Sequence, residues 1–130
     1  YARLAGLFAD GMDMSWMAGP IREAYREAWS RPGALTGMLN WYRASPLPVA
    51  RPGAAVPEDR RIPLDPARMR VAMPHLLLWG MNDKALLPDC NEGLEALCDD
   101  LTRREIADAD HWLHHQKPED VAALIRDFCG

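Results

Sequence analysis

Cysteine is scarce in this sequence and poorly placed for a disulfide or metal framework. There are three cysteines, Cys90, Cys98 and Cys129, and no two of them have the C-x-x-C spacing. An odd number of cysteines without paired spacing argues against a disulfide scaffold and against a zinc knuckle. We therefore expect reduced cysteines and a cytoplasmic protein.

Long apolar runs and an excess of basic residues are also missing. No segment approaches the roughly 20 apolar residues that cross a bilayer, and the first residues do not have the pattern of a signal peptide. The formal charge of −4 argues against nucleic acid or an anionic membrane as the main partner. With 130 residues, the chain is long enough for one domain with a modest core.

A third absence concerns catalysis. The sequence contains no Gly-x-Ser-x-Gly elbow and no version of it with Asp or Cys at the centre. The nearest approach, at residues 11–15, lacks the closing glycine that the sharp turn requires. A nucleophile on such an elbow is therefore missing from these residues.

Two motifs nevertheless indicate a catalytic pair. Leu76 to Trp79 form an apolar run closed by Gly80, which is typical of a strand buried on both faces, and a second strand is predicted at residues 102–107. Asp83 and His111 follow these strands, so both should reach the carboxyl edge of a parallel sheet, where ligands bind. A carboxylate that accepts the Nδ1 proton of an imidazole leaves the other nitrogen to activate a nucleophile or a water.

Helical spacing of apolar residues predicts two helices before the sheet, and a further helical tail at residues 1–10. One helix begins at Pro20, and Ser30 is expected to cap the next, whose apolar stripe includes Tyr42. After these helices the composition changes, because prolines that cannot propagate a helix or a central strand follow at positions 46, 48, 52, 57, 63 and 66.

Two more helices are predicted in the second half of the chain. The first covers about residues 90–100 and should pack on one face of the sheet. The second begins at Pro118, carries acidic residues in its first turn and should bury the apolar side chains of Val121, Leu124, Ile125 and Phe128.

The residues around Asp83 and His111 resemble motifs of the α/β-hydrolases in the epoxide hydrolase and haloalkane dehalogenase group. Leu-Leu-Leu-Trp-Gly-Met-Asn-Asp, ending at Asp83, is similar to that family's strand and catalytic-acid loop. Asp-His-Trp-Leu-His-His-Gln-Lys-Pro, from Asp110, is similar to the loop that bears its catalytic histidine. Asn-Trp-Tyr-Arg at residues 40–43 resembles a segment of the family's helical cap that contains a proton-donating tyrosine.

This resemblance implies an α/β fold, with a helical cap segment and the last two parallel strands with flanking helices of an α/β-hydrolase. Residues 1–45 would be part of the cap, residues 46–70 a proline-rich return linker and residues 71–130 the C-terminal part of the hydrolase core. The nucleophile would lie outside this chain, in the remainder of the hydrolase domain.

The resemblance also implies roles for individual residues. His111 would be the general base and Asp83 its orienting carboxylate, while Tyr42 and Trp112 would contact the substrate, Tyr42 as an acid toward an epoxide oxygen. The reaction would need no cofactor, and the substrate would be a small, largely apolar epoxide, halide or ester. A second tyrosine usually assists the first in this family, and Tyr25 is disfavoured for that role because it lies on a core-like face.

Alternative interpretations remain for the same residues. Asp83 and His111 could be structural, and a metal site could be built from His111, His114 and His115 with Asp108 and Asp110, although these have no recognised ligand spacing. A Ser nucleophile upstream would make the protein an esterase. The chain could also be a non-catalytic fragment, because two strands leave both sheet edges unpaired and favour a homodimer.

Overall fold

The computed structural model describes residues 6, 11–48, 50, 53–63 and 65–130. Two helices come first within these ranges, followed by a largely irregular stretch and then by a parallel sheet with its helices. The helix predicted at residues 1–10 lies outside the described residues, except for Gly6.

The first two helices form a pair. Helix α1 spans Gly19–Ser30 with Pro20 in its first turn, as predicted, and α2 spans Ala34–Ala44. The predicted capping role of Ser30 is wrong, because Ser30 ends α1 and its hydroxyl donates to the carbonyl of Arg26 at 2.6 Å. Gly33 precedes α2 instead, with a φ of 79° that glycine adopts at little cost.

The apolar stripes of this helix pair are only partly covered. Tyr25 and Trp29 on α1 are half-buried. On α2, Leu39 is 50% exposed and Tyr42 is 69% exposed. Helix packing within this chain therefore buries one part of the predicted apolar surface and leaves another open to solvent.

The proline-rich stretch contains only short elements among its described residues. A 3-10 turn covers Glu58–Arg60, and the four-residue helix α3 covers Pro66–Met69. Asp65 caps α3 by accepting a hydrogen bond from the backbone N–H of Ala67 at 3.0 Å. The prolines thus prevent a long helix or strand here, as the sequence predicts.

Two parallel strands form the sheet within the described residues. Strand β1 spans His75–Gly80 and strand β2 spans Leu101–Ile106, paired from His75 with Leu101 to Gly80 with Ile106. Both strands lie within one residue of their predicted bounds. Because the strands are parallel, the loops after Gly80 and Ile106 leave the same edge of the sheet.

The helix predicted at about residues 90–100 is wrong. The connection between the strands contains two 3-10 turns, Pro88–Asn91 and Leu94–Ala96, which are separated by Glu92 and by Gly93 with a φ of 79°. Arg103 on β2 also donates to the backbone carbonyl of Asn91 at 3.1 Å, which ties this connection to the sheet. A left-handed glycine and a long-range hydrogen bond therefore override the apolar spacing.

The chain ends with the short helix α4, Leu113–Gln116, and with α5, Pro118–Cys129, which begins where it was predicted. Ile125 was expected to be buried and is instead 46% exposed. The other apolar side chains that were expected inside α5 are half-buried, at Val121, Leu124 and Phe128.

Burial is concentrated near the carboxyl edge of the sheet. Among the described residues, the buried side chains besides Cys98 are those of Asp83, Ala109 and Asp110, and Gly80 is buried with them. Two of these four residues are charged, which is unusual for the most buried part of a chain.

No helix in the described part of the chain is long and apolar enough to cross a membrane.

Candidate active site

The loops after β1 and β2 cross each other directly above Gly80. A Cβ atom added at Gly80 would lie within 3.0 Å of the backbone carbonyl oxygens of Ala109 and Asp110. The backbone N–H of Asn82 donates to the carbonyl of Ala109 at 2.9 Å. The absence of a side chain at Gly80 therefore lets the second loop pass close enough to place its residues beside Asp83.

Asp83 is held by its own loop and by the neighbouring loop. Its Oδ1 accepts hydrogen bonds from the backbone N–H groups of Ala85 at 2.8 Å and Leu86 at 2.9 Å. Its Oδ2 accepts a hydrogen bond from Nδ1 of His111 at 2.9 Å. The side chain is only 6% exposed, so both carboxylate oxygens are fixed in direction.

The electrostatics of Asp83 favour its charged form. Burial alone raises the pKa of this carboxyl, but the hydrogen bonds from Leu86, His111 and Ala85 and the charge of the imidazole together outweigh burial. The net effect lowers the pKa of Asp83 below its ordinary value. The group is therefore ionised at neutral pH and acts only as a hydrogen-bond acceptor toward the imidazole.

His111 is oriented by this contact and by its neighbour. With Nδ1–H donating to Asp83, the neutral imidazole has its lone pair on Nε2. The ring is 35% exposed and stands edge-on to Trp112, with centroids 5.3 Å apart and an interplanar angle of 89°. A partly exposed Nε2 on a fixed neutral imidazole can accept a proton from a water or from another nucleophile.

The predicted approach of Asp83 to His111 is thus confirmed. The structure brings together the ends of two neighbouring strands at one edge, as the sequence pattern indicated. Trp112 lies against His111 and against Trp16, whose ring centroid is 5.3 Å from its own. An open cavity of about 580 Å³ borders Asp83 and Asp110, and His111 is not among its lining residues.

Comparison with known proteins places this chain in a family, although no family model matches it. It is 36% identical over 104 residues to the AB hydrolase superfamily protein YfhM of Bacillus subtilis, covering 80% of this chain and 32% of that protein. It is 33% identical to human epoxide hydrolase 4, covering 82% of this chain and 25% of that protein.

Solved structures give the same result. A structure described as one of the novel epoxide hydrolases from metagenomes of hot environments is 34% identical with a TM-score of 0.76, and the match covers 87% of this chain and 38% of that one. An epoxide hydrolase from Bacillus megaterium, 23% identical, has a TM-score of 0.78 over 99% of this chain and 44% of that one, which shows a shared fold.

The chain corresponds to the C-terminal part of an α/β-hydrolase of the epoxide hydrolase group. It spans about a third or less of the length of the two curated relatives named above. The predicted fold class, an α/β arrangement with two parallel strands and flanking helices, is confirmed.

Tyr42 and Tyr25, the two tyrosines considered in the sequence analysis, lie in different environments. Tyr42 is on α2 and 69% exposed, and within the described residues no hydrogen bond joins it to Asp83 or His111. The hydroxyl of Tyr25 is hydrogen-bonded to Nε2 of His115 at 2.7 Å. Tyr25 is therefore engaged with the residues after His111, whereas the Tyr42 hydroxyl is open to a ligand.

The histidines and acids considered as metal ligands are engaged in other contacts. His111 binds Asp83, His115 binds Tyr25, and Asp108 forms an ion pair with Lys117. In the described ranges, no group of three or more histidine, cysteine, aspartate or glutamate side chains is arranged to hold a metal ion.

Sequence reasoning missed the structural importance of Asp110. From the sequence it is identified only as the first residue of the histidine motif and as an alternative metal ligand, whereas its carboxylate is buried and accepts a hydrogen bond from the backbone N–H of Asp13, 97 residues earlier. The signal that could have suggested a buried role was its position directly before His111 in the motif.

Proposed function

We propose that this chain supplies the general-base pair of a cofactor-free α/β-hydrolase that acts on a small, largely apolar epoxide. The single observation that carries the proposal is the 2.9 Å hydrogen bond from Nδ1 of His111 to the buried carboxylate of Asp83. The names of the relatives support an epoxide over a halide or an ester. The nucleophile and the remaining strands would belong to the rest of the hydrolase domain.

The mechanism follows from the chemistry of the two side chains. A carboxylate nucleophile outside this chain attacks an epoxide carbon, the ring C–O bond breaks, and the oxygen takes a proton from the hydroxyl of Tyr42. Nε2 of His111 then removes a proton from a water, which attacks the resulting ester and releases the diol and the carboxylate. Asp83 stabilises the imidazolium that forms, and the imidazolium proton then passes through solvent to the tyrosinate of Tyr42, which restores both groups.

The parts of the chain would divide this work. Residues 1–45 would form part of a helical cap that carries Tyr42, residues 46–70 would return the chain from the cap, and residues 71–130 would complete the core. Trp112 would supply an apolar wall beside His111. The exposure of Tyr42 and the contact of Trp112 with His111 support these assignments. The reduced cysteines support a cytoplasmic location.

The coding sequence upstream of Tyr1 tests the proposal first. A Gly-x-Asp-x-Gly elbow there supports alkyl-enzyme chemistry, whereas Gly-x-Ser-x-Gly favours an esterase. The complete hydrolase can then be assayed with styrene oxide and with p-nitrophenyl acetate. Diol formation from styrene oxide that is lost in His111→Ala is the expected result, and full activity in that variant would refute the proposal.

A second candidate concerns the chain on its own. Because Leu39, Tyr42 and Ile125 are more than two-fifths exposed and β1 has a partner on one edge only within the described residues, the isolated chain would associate with a second copy to cover this surface. In that state it would have no hydrolase activity, since it lacks a nucleophile elbow.

A further inference from the structure

The carboxylate of Asp110 is buried beside the candidate pair but has no part in the reaction proposed above. The residue is 4% exposed, and its carboxylate oxygens each accept one backbone hydrogen bond. Oδ1 accepts from the N–H of Trp112 at 2.9 Å, and Oδ2 accepts from the N–H of Asp13 at 2.7 Å. Burial of a carboxylate is costly unless such bonds are made, so both bonds are needed for this arrangement.

Gln116 completes the contact with Asp13. Its Oε1 accepts a hydrogen bond from the backbone N–H of Asp110 at 2.8 Å, and its Nε2 donates to the backbone carbonyl of Asp13 at 3.1 Å. The N–H and the C=O of Asp13 are thus both bound by side chains of residues 107–117, the segment after β2 that bears His111 and that we call the histidine loop. We call this four-bond arrangement of Asp13, Asp110, Trp112 and Gln116 the Asp13 clamp.

Further contacts join the residues that follow Asp13 to the residues that follow His111. The ring of Trp16 stacks on His115 with centroids 3.9 Å apart and an interplanar angle of 6°, and Tyr25 binds His115 through its hydroxyl. The segment that leads into α1 is therefore fastened to the residues directly after His111. The His111 imidazole itself is hydrogen-bonded to the carboxylate of Asp83.

The geometry of the clamp constrains His111 itself. The bond from Trp112 N–H to Asp110 Oδ1 closes a turn in which His111 is the central residue. We propose that Asp110 is a positioning residue, which sets the His111 imidazole against Asp83 by fixing this turn and fastening it to Asp13. The effect on catalysis rests on the function proposed above, whereas the effect on the imidazole does not.

A carboxylate is required here because two N–H donors converge on it. In Asp110→Asn, the side chain keeps nearly the same shape but has one oxygen, so its NH₂ group would face an N–H donor of Trp112 or Asp13. Asp108→Asn is the matched control. It makes the same change in the same loop, but its side chain is 72% exposed and is paired, among the described residues, only with that of Lys117.

The test compares these variants in the complete hydrolase. We expect Asp110→Asn to lower kcat by about 10- to 100-fold, as a misplaced catalytic group does, with KM nearly unchanged. The downfield proton resonance of His111 Nδ1–H, which reports its bond to Asp83, should shift or broaden in the same variant. Asp108→Asn should retain both the kcat and the resonance of the unmodified protein.

A second variant, Gln116→Glu, tests the proposal if Asp110→Asn does not fold. Gln116→Glu keeps Asp110 but removes the donor to the carbonyl of Asp13, so it should produce the same changes to a smaller degree. An unchanged resonance and an unchanged kcat in either folded variant would overturn the proposal. If the unmodified hydrolase converts no epoxide, the proposed function fails, and the His111 resonance still decides whether Asp110 positions the ring.

Discussion

The backbone carbonyl oxygen of Asp110 lies in the space that a Cβ atom at residue 80 would fill, and Gly80 has no Cβ atom to meet it. The histidine loop can consequently pass close to the end of β1, where the backbone N–H of Asn82 donates to the carbonyl of Ala109. This approach brings the loop close enough for His111 to reach Asp83. The glycine in the Trp-Gly-Met-Asn-Asp motif is thus a steric requirement of the candidate site.

Substituting alanine at Gly80 should destabilise the protein and displace His111. Because the added methyl group meets backbone atoms, which cannot rotate away, we expect a loss of about 1–3 kcal/mol in the free energy of unfolding. Urea unfolding measures this. Gly37→Ala is the control, since Gly37 lies inside α2 with nothing within 4 Å of an added Cβ, and alanine there should stabilise by about 0.5–1 kcal/mol. Equal stabilities of the two variants would contradict the steric account.

Replacing Asp83 with asparagine should inactivate the complete hydrolase without unfolding it. The amide cannot stabilise an imidazolium, and it can hold the ring in the wrong tautomer, so we expect kcat to fall by about 10⁴-fold. Steady-state rates with styrene oxide measure this. A variant with more than a tenth of the original kcat would show that Asp83 is a turn residue only.

The two tyrosines should respond to removal of their hydroxyls in opposite ways. Tyr42→Phe should lower kcat by about 10²-fold if its hydroxyl protonates the epoxide oxygen, with little loss of stability because the side chain is exposed. Tyr25→Phe should leave kcat nearly unchanged and cost about 1 kcal/mol, because it removes the hydrogen bond to His115. Rate assays and urea unfolding on both variants distinguish the roles, and a reversed pattern would reassign them.

Stability should decrease as the pH falls below about 6.5. Burial, together with the charge of His114, lowers the pKa of His115 from its ordinary value of 6.5. The unfolded chain therefore binds a proton at a higher pH than the folded chain, so the stabilisation is complete above pH 6.5 and is lost as the pH falls toward the folded pKa. His115→Gln should flatten this part of the stability curve. An equal slope of stability against pH in the variant would exclude His115 as the source of this decrease.

Asp83 should contribute a separate decrease in more acidic solution. Its pKa is lower in the folded chain than the ordinary value of 3.8, so its contribution is present above that value and is lost as the pH falls through the folded pKa. Asp83→Asn should remove the decrease in stability that is due to Asp83 and leave the decrease that is due to His115. Urea unfolding at a series of pH values separates the two.

The isolated chain should self-associate. Half-exposed apolar residues on β1 and exposed ones on α2 and α5 leave a surface that a single copy does not cover. Light scattering should therefore give a mass above that of one 14.6 kDa chain. A monomer with well-dispersed amide signals would contradict this expectation.

Sequence patterns correctly predicted the elements that depend on residues close together in the chain. The apolar run of β1 and the turn residues after each strand were enough to locate Asp83 and His111 at one sheet edge. The connection at residues 90–100 could not be predicted, because the hydrogen bond of Arg103 to Asn91 and the left-handed Gly93 prevail over apolar spacing. The Asp13 clamp could not be predicted either, since it joins residues 97 positions apart.

The exposed fraction of apolar side chains also could not be predicted from local sequence patterns. Ile125 and Leu39 lie on stripes that predict burial, and the stripes are present as helical faces. Whether such a face is covered depends on which other elements pack against it, and this chain covers only a part of each. Periodicity therefore predicts which face is apolar but not how deeply it is buried.

Intact mass spectrometry of the complete hydrolase carrying His111→Ala, after incubation with styrene oxide, tests the central claim most directly. Without the imidazole, the water that cleaves the ester is not activated, so the variant should retain one equivalent of epoxide as a covalent adduct and release no diol. Continued release of diol at the original rate, with no adduct, would contradict the assignment of His111 as the base.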